Sequence, residues 1–295
     1  MLHPLIGVSL VFAIFAALLA ALRWYQRRSE PRPELVRKLM HVGMGLVTLS
    51  LPWLFAEAWP VLALAASSIA VLIALRVIPR WRQALGCVIC GVHRRSFGEI
   101  YFAASAAILF PLAKGDAILF CVPMLILTLA DAASALVGLR YGVPRFGQKS
   151  VEGSIAFFIV AFLSAHITLL LATGVGRVES LLIAATLALL LTLIEAMAWR
   201  GLDNLFIPLG GFVLLDGFLM MDAAALTKRL AIALLLVITA AAVKWRHAAG
   251  PRSISLRNRS GRSERRPETM KINHEETKGT KTFSVLSSFS SFLRG

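Results

Sequence analysis

Residues 117–142 read AILFCVPMLILTLADAASALVGLRYG, and the reading of this stretch decides the fold. Its first fourteen residues carry no charge, and then Asp131 stands where the chain is still apolar. A helix needs about 20 apolar residues to cross a bilayer core, and residues 116–138 supply that length with the aspartate inside it. A charged side chain at membrane depth costs roughly 2.5–3.5 kcal/mol on insertion scales. Asp131 therefore has either a partner or a purpose. Small residues follow it, and GQKSVEGS (residues 147–154) then adds Lys149 and Glu152 just ahead of the next apolar run.

The rest of the chain repeats this commitment to an apolar solvent. Of 295 residues, 58% are hydrophobic and only 16% charged, with a mean hydropathy of +0.75. Soluble domains carry about 25% charged residues, so this composition excludes them. Nine apolar runs read as spans: 4–22, 40–56, 60–78, 99–113, 116–138, 152–173, 178–199, 205–221 and 226–243. The expected fold class is all-α, a multi-pass transmembrane helical bundle. The eighth run is the weakest and is open to a re-entrant or tilted reading. Pro/Gly clusters punctuate the loops, and no internal repeat of fixed period is evident.

Charge placement orients the bundle. Loops on one side hold fifteen Lys and Arg (Arg23 to Lys38, Arg76 to Arg95, Arg140, Arg145, Lys149 and Arg200), and the other side holds Lys114, Arg177, Lys228 and Arg229. The positive-inside bias places the N-terminus outside and the C-terminus in the cytoplasm. The first run has no Lys or Arg before it and three Arg after it, which is the layout of a retained anchor rather than a cleaved signal. Residues 1–36 thus form an anchor span with a basic loop, residues 37–246 the membrane domain, and residues 247–295 a tail of disordered composition.

From Lys244 onward twelve Lys and Arg face four Glu, which supplies +8 of the formal +15. A basic stretch directly after a last span suits anionic lipid, so the net charge is no sign of a nucleic-acid partner. CVIC (residues 87–90) with His93 lacks the further ligand pair that zinc needs nearby.

Six polar residues interrupt the apolar runs: His41, Glu99, Asp131, Glu195, Asp203 and Asp216. The expected topology sets the first five at inside-facing helix ends, which points to one shared site on that face. In RPELVRKLMHVGMG (residues 32–45), Arg37 and Lys38 lie four and three residues before His41 on one helical face. Cations there keep an imidazole neutral and able to accept a proton; snorkelling bases beside a merely bonded histidine are the plain alternative. In RRSFGEIYF (residues 94–102), Arg95 and Glu99 are four apart, and Glu99 also suits a helix start.

Asp131, Ser134, Gly138 and Gly142 form a narrow face that admits either a second backbone or a ligand. Ser150 and Gly153 at the next helix start can turn backbone N–H groups toward an anion, with Lys149 as a mobile cation and Glu152 as cap or metal ligand. Glu195 ends the seventh span, with Asp203 and Asn204 in the turn beyond. Asp131, Glu195 and Asp203 are the carboxylates expected to converge on Mg²⁺, which uses one or two carboxylates plus substrate phosphates. Asp216 stands apart and reads as structural.

RKLMH (37–41), GEIYF (98–102), DAASALVGLRYG (131–142), KSVEGS (149–154), and Glu195 followed by DNLFIP (203–208) together resemble the phytol kinase and dolichol kinase family. The resemblance spans roughly residues 37–210. It implies a multi-pass, Mg²⁺-dependent enzyme that phosphorylates an isoprenoid alcohol with CTP, the Asp131 and Lys149 motifs holding metal and donor phosphates. Arg37 and Lys38 then read as phosphate clamps, and His41 or Asp203 as the proton acceptor. The family is distantly similar to phosphatidate cytidylyltransferases, which make a CDP-lipid and leave pyrophosphate, but their long C-terminal signature is not seen. A secondary transporter is a third reading, and the one-sided polar set argues against it. The active face is expected to be cytoplasmic; in a bacterium the membrane is the cell membrane.

Overall fold

The computed structural model describes residues 3–29, 31–78, 97–142, 145–146 and 149–248. The CVIC motif, His93, Arg80, Arg82, Arg94, Arg95 and the tail beyond residue 248 lie outside them. The chain runs α1 (Pro4–Ser29), α2 (Pro33–Leu49), the single turn α3 (Leu51–Leu54), α4 (Ala58–Val77), α5 (Gly98–Leu112) and α6 (Ala117–Tyr141). Two short strands follow, β1 (Arg145–Phe146) and β2 (Lys149–Ser150), then α7 (Val151–Ala172), α8 (Arg177–Met197), α9 (Asp203–Leu219) and α10 (Ala223–Ala248).

The helical membrane bundle expected from composition is what forms. Among the described residues six helices are long and apolar enough to cross a membrane: α1, α4, α6, α7, α8 and α10. The runs expected as the second, fourth and eighth spans become α2, α5 and α9, of 17, 15 and 17 residues. At 1.5 Å per residue these measure roughly 23–26 Å, short of a hydrocarbon core of about 30 Å. The second run is also shifted: α2 opens at Pro33, whose fixed φ suits a first helical position, and breaks at Ser50 ahead of Pro52. The eighth run is one continuous helix that buries Ile207, Gly211 and Leu215. The antiparallel β1–β2 pair, Phe146 opposite Lys149, is the one pair of strands among the described residues.

Outward faces remain apolar, as a lipid-facing surface must be. On α7, Ile155, Ile159, Leu163, Ile167 and Leu171 are exposed at intervals of four, while Phe157, Ala161, Ala165 and Leu169 are buried. Helix α6 is the axis. It packs on α2, α5, α7 and α9 and is buried along most of its length, including Phe120, Met124, Ile126 and Leu127. α1 packs on α2 and α4, and α8 is covered by α7, α9 and α10. Because α6 starts from the Asp116 cap, whose carboxylate accepts from Ile118 N and Leu119 N, its far end delivers Asp131 and Ser134 among α2, α7 and α8.

Candidate functional site

Helix α2 and helix α6 meet through charge. Lys38 Nζ donates to Asp131 Oδ2 at 2.6 Å and to the Asp131 carbonyl at 3.3 Å, with both side chains buried. His41, one turn on, places Nε2 3.3 Å from the Leu127 carbonyl and 3.4 Å from Asp131 Oδ2. Its ring also meets Phe102 of α5 edge-on, centroids 5.2 Å apart. Leaving either charge alone in the bundle would be costly, so Lys38 and Asp131 hold each other in place.

A second cluster lies one turn further along α6. Ser134 Oγ donates to Glu195 Oε1 at 3.0 Å, and Lys149 Nζ donates to the same oxygen at 2.7 Å and to Asp203 Oδ2 at 3.2 Å. Three local features bring these groups together. The β1–β2 pair carries Lys149 back to the start of α7; Ser150 Oγ caps that helix by accepting from Gly153 N at 3.1 Å. The turn after α8 then uses positive φ at Arg200 and Gly201, so that Asp203 opens α9 beside Glu195. Burial pulls the Lys149 pKa down, and the Asp203 and Glu195 carboxylates outweigh it, so the ammonium ends above the ordinary lysine value.

The small-residue face on α6 is the seat of α7. A Cβ on Gly138 would come 3.0 Å from Ser150 Oγ, and one on Gly153 would come 2.9 Å from the Ser134 carbonyl. Gly142 faces Ser150 in the same seam. The Gly153 N–H that the sequence offers to an anion is taken by the Ser150 cap.

Other expected residues land differently. Arg37 turns back to its own helix, its Nε donating to Glu34 Oε2 at 3.0 Å. Glu99 pairs with Arg76 of α4 at 3.3 Å; Arg95, its expected partner, lies outside the described residues. Asn204 is buried at the first turn of α9, and its N–H donates to Asp203 Oδ1 at 3.2 Å. Asp216 sits on an exposed face of α9. Ser134, on the small and polar face that begins at Asp131, is a donor to Glu195, and its place three residues after Asp131 was the available signal. His166, absent from the sequence-level set, bonds Ser180 Oγ at 3.0 Å and stacks on Phe162.

The three carboxylates are divided between two lysines, and among the described residues no three of His, Cys, Asp and Glu gather as a metal cage. Two oxygens are left over: Glu195 Oε2 and Glu152 Oε2 are buried without a hydrogen-bond partner. A buried carboxylate oxygen without a donor is a position a cation would satisfy. Lys38 and Lys149 against Asp131, Glu195 and Asp203 also leave one negative charge in excess, which suits an anion that arrives with a divalent ion.

A curated protein named phytol kinase, from Synechocystis sp., is 30% identical to this chain over 214 residues, covering 70% of this chain and 88% of that protein. No family model matches the chain, and no solved structure matches it.

Proposed function

The chain belongs to the phytol kinase family, and on that premise we propose that it is an integral membrane kinase moving a phosphoryl group from CTP to an isoprenoid alcohol with Mg²⁺. The observation that carries the site is Lys149, partly open to solvent and shared between Glu195 and Asp203, one of which keeps an unpartnered buried oxygen.

Phosphoryl transfer asks for positioning and charge stabilisation rather than covalent chemistry. The alcohol oxygen bonds to the γ-phosphorus, the bond to the β-phosphate oxygen breaks, and CDP leaves. Lys149, the one of the two lysines with access to water, meets the donor phosphates. Ser150, Glu152 and Gly153 open α7 and Asn204 lies in the first turn of α9, and the first-turn N–H groups of these helices not used by their caps favour an anion. Mg²⁺, when bound, would be held by Glu195 and Asp203 and would neutralise charge on the donor phosphates. Asp131 anchors Lys38 and faces His41, a placement that orients a base. If His41 donates Nε2–H to the Leu127 carbonyl, its Nδ1 is left to accept the alcohol proton. The positive-inside bias supports a cytoplasmic site, where nucleotide is available.

Purified protein with γ-labelled CTP, Mg²⁺ and a panel of lipid alcohols tests this directly. Labelled lipid phosphate and CDP are expected. Pyrophosphate with a CDP-lipid would instead mean cytidylyl transfer, and no product with any alcohol would end the kinase reading.

A further inference from the structure

Helices α1, α2, α4 and α5 line an apolar cavity beside the Lys38–Asp131–His41 cluster. Val11, Met44, Leu51, Leu64, Phe102 and Ala106 are among its walls, and Thr48, Ser68 and Glu99 are its polar members. Its walls are almost wholly apolar, and it is open along one side. Open apolar space of this kind forfeits dispersion contacts unless something apolar fills it.

The cavity has a direction. Glu99 lies in the first turn of α5, paired with Arg76, and Ala106 lies seven residues on, about 10 Å along the axis. Phe102, between them, is both cavity wall and the edge-on neighbour of His41, which in turn stands 3.4 Å from Asp131 Oδ2. Helix α2 supplies His41 to the site and Met44, Val47 and Thr48 to the cavity. Thr48 has donated its hydroxyl hydrogen to the Met44 carbonyl, so its part of the wall offers no free donor. The Glu99 end of the cavity therefore abuts the proposed base, and the walls leading away from it are hydrocarbon except for Thr48 and Ser68.

We propose that this cavity receives the hydrocarbon chain of the alcohol substrate, its hydroxyl end at the wall formed by Phe102 and Glu99. The assignment rests on the kinase reading for the hydroxyl's fate, and on the cavity itself for the chain.

Full-length protein in phospholipid nanodiscs, photolysed with a twenty-carbon prenyl alcohol carrying a diazirine at its hydrocarbon end, tests occupancy without any need for turnover. Labelling at the α4 and α5 walls, around Leu64 and Ala106, and its loss when unlabelled prenyl alcohol is added are expected. Label confined to the outer helix faces, or a cavity label that excess phospholipid displaces equally, would overturn the proposal. A second measurement uses Ala106→Phe, which fills the cavity. The KM for the twenty-carbon alcohol should rise roughly tenfold while kcat and the KM for CTP hold, as loss of uniform binding predicts. An unchanged KM for that alcohol in a folded variant would also overturn it. A wild-type protein that is labelled in the cavity but transfers no phosphate would refute the kinase reading and keep the cavity as a prenyl site.

Discussion

Two lysines meet carboxylates in this bundle in unlike surroundings. Lys38 has 4% of its side chain exposed and is committed to Asp131, by both carboxylate and carbonyl. Lys149 has 25% exposed and divides itself between Glu195 and Asp203. An ion pair sealed from water cannot lose one member without stranding the other. One with water at its edge can exchange a carboxylate for a phosphate at modest cost, because solvent covers the transition between partners. The first cluster therefore reads as a fixed brace that sets His41, and the second as the part that changes partners during a reaction cycle.

The largest expected effect is on the brace. Asp131→Asn strands Lys38, and breaking a buried pair costs about 3–5 kcal/mol. Thermal or denaturant unfolding in detergent should show that loss, and Asp131→Asn combined with Lys38→Met should recover most of it. Activity should stay low in the double variant, because His41 loses the carboxylate it faces. A double variant no more stable than Asp131→Asn alone would break the comparison at its first term.

Next comes the open cluster. Lys149→Ala should lower the rate with CTP roughly a hundredfold to a thousandfold, as for removal of one transition-state donor, with little change in unfolding. Lys149→Arg should recover part of the rate, since a planar fork replaces a compact ammonium. The pH dependence sharpens this. The Lys149 pKa is raised in the folded protein, so its stabilising contribution is complete below the unfolded value of about 10.4 and fades only as pH rises through the higher folded value. Rate profiles of wild type and Lys149→Arg should therefore share one shape between pH 6 and about 9. A limb in that range that disappears in the arginine variant would show the lysine titrating where the carboxylates ought to hold it charged.

These residues were legible in the sequence for one reason: charge is scarce in an apolar chain, so Asp131, Lys149, Glu195 and Asp203 stand out at once. Their pairing was not legible. Spacing along one helix grouped Arg37 and Lys38 with His41, whereas the fold sends Arg37 to Glu34 and Lys38 across 93 positions to Asp131. Hydropathy found the runs but not their lengths as helices, because the Pro33 start and the break before Pro52 reset the second one. The glycines of α6 read equally as packing or ligand positions until Ser150 is seen lying over them. The cavity needs side chains from α1 through α5 at once, and no local pattern encodes that.

The smallest expected effect concerns the cap and the outlying arginine. Ser150→Ala removes the acceptor for Gly153 N and should cost about 1 kcal/mol, the usual loss for an N-cap. Arg37 pairs with Glu34 within α2, both side chains between a quarter and a third exposed. Such exposed pairs are worth roughly 0.2–1 kcal/mol, so Arg37→Ala should barely shift unfolding. Its KM for CTP decides more. If the brace and the open cluster divide the work, nucleotide reaches Lys149 while Arg37 stays on Glu34, and that KM stays within about twofold of wild type. A rise of tenfold or more would mean that Arg37 leaves Glu34 to clamp phosphate. The donor site would then extend from α7 to α2, and the division between a sealed brace and an open cluster would fail at the arginine next to Lys38.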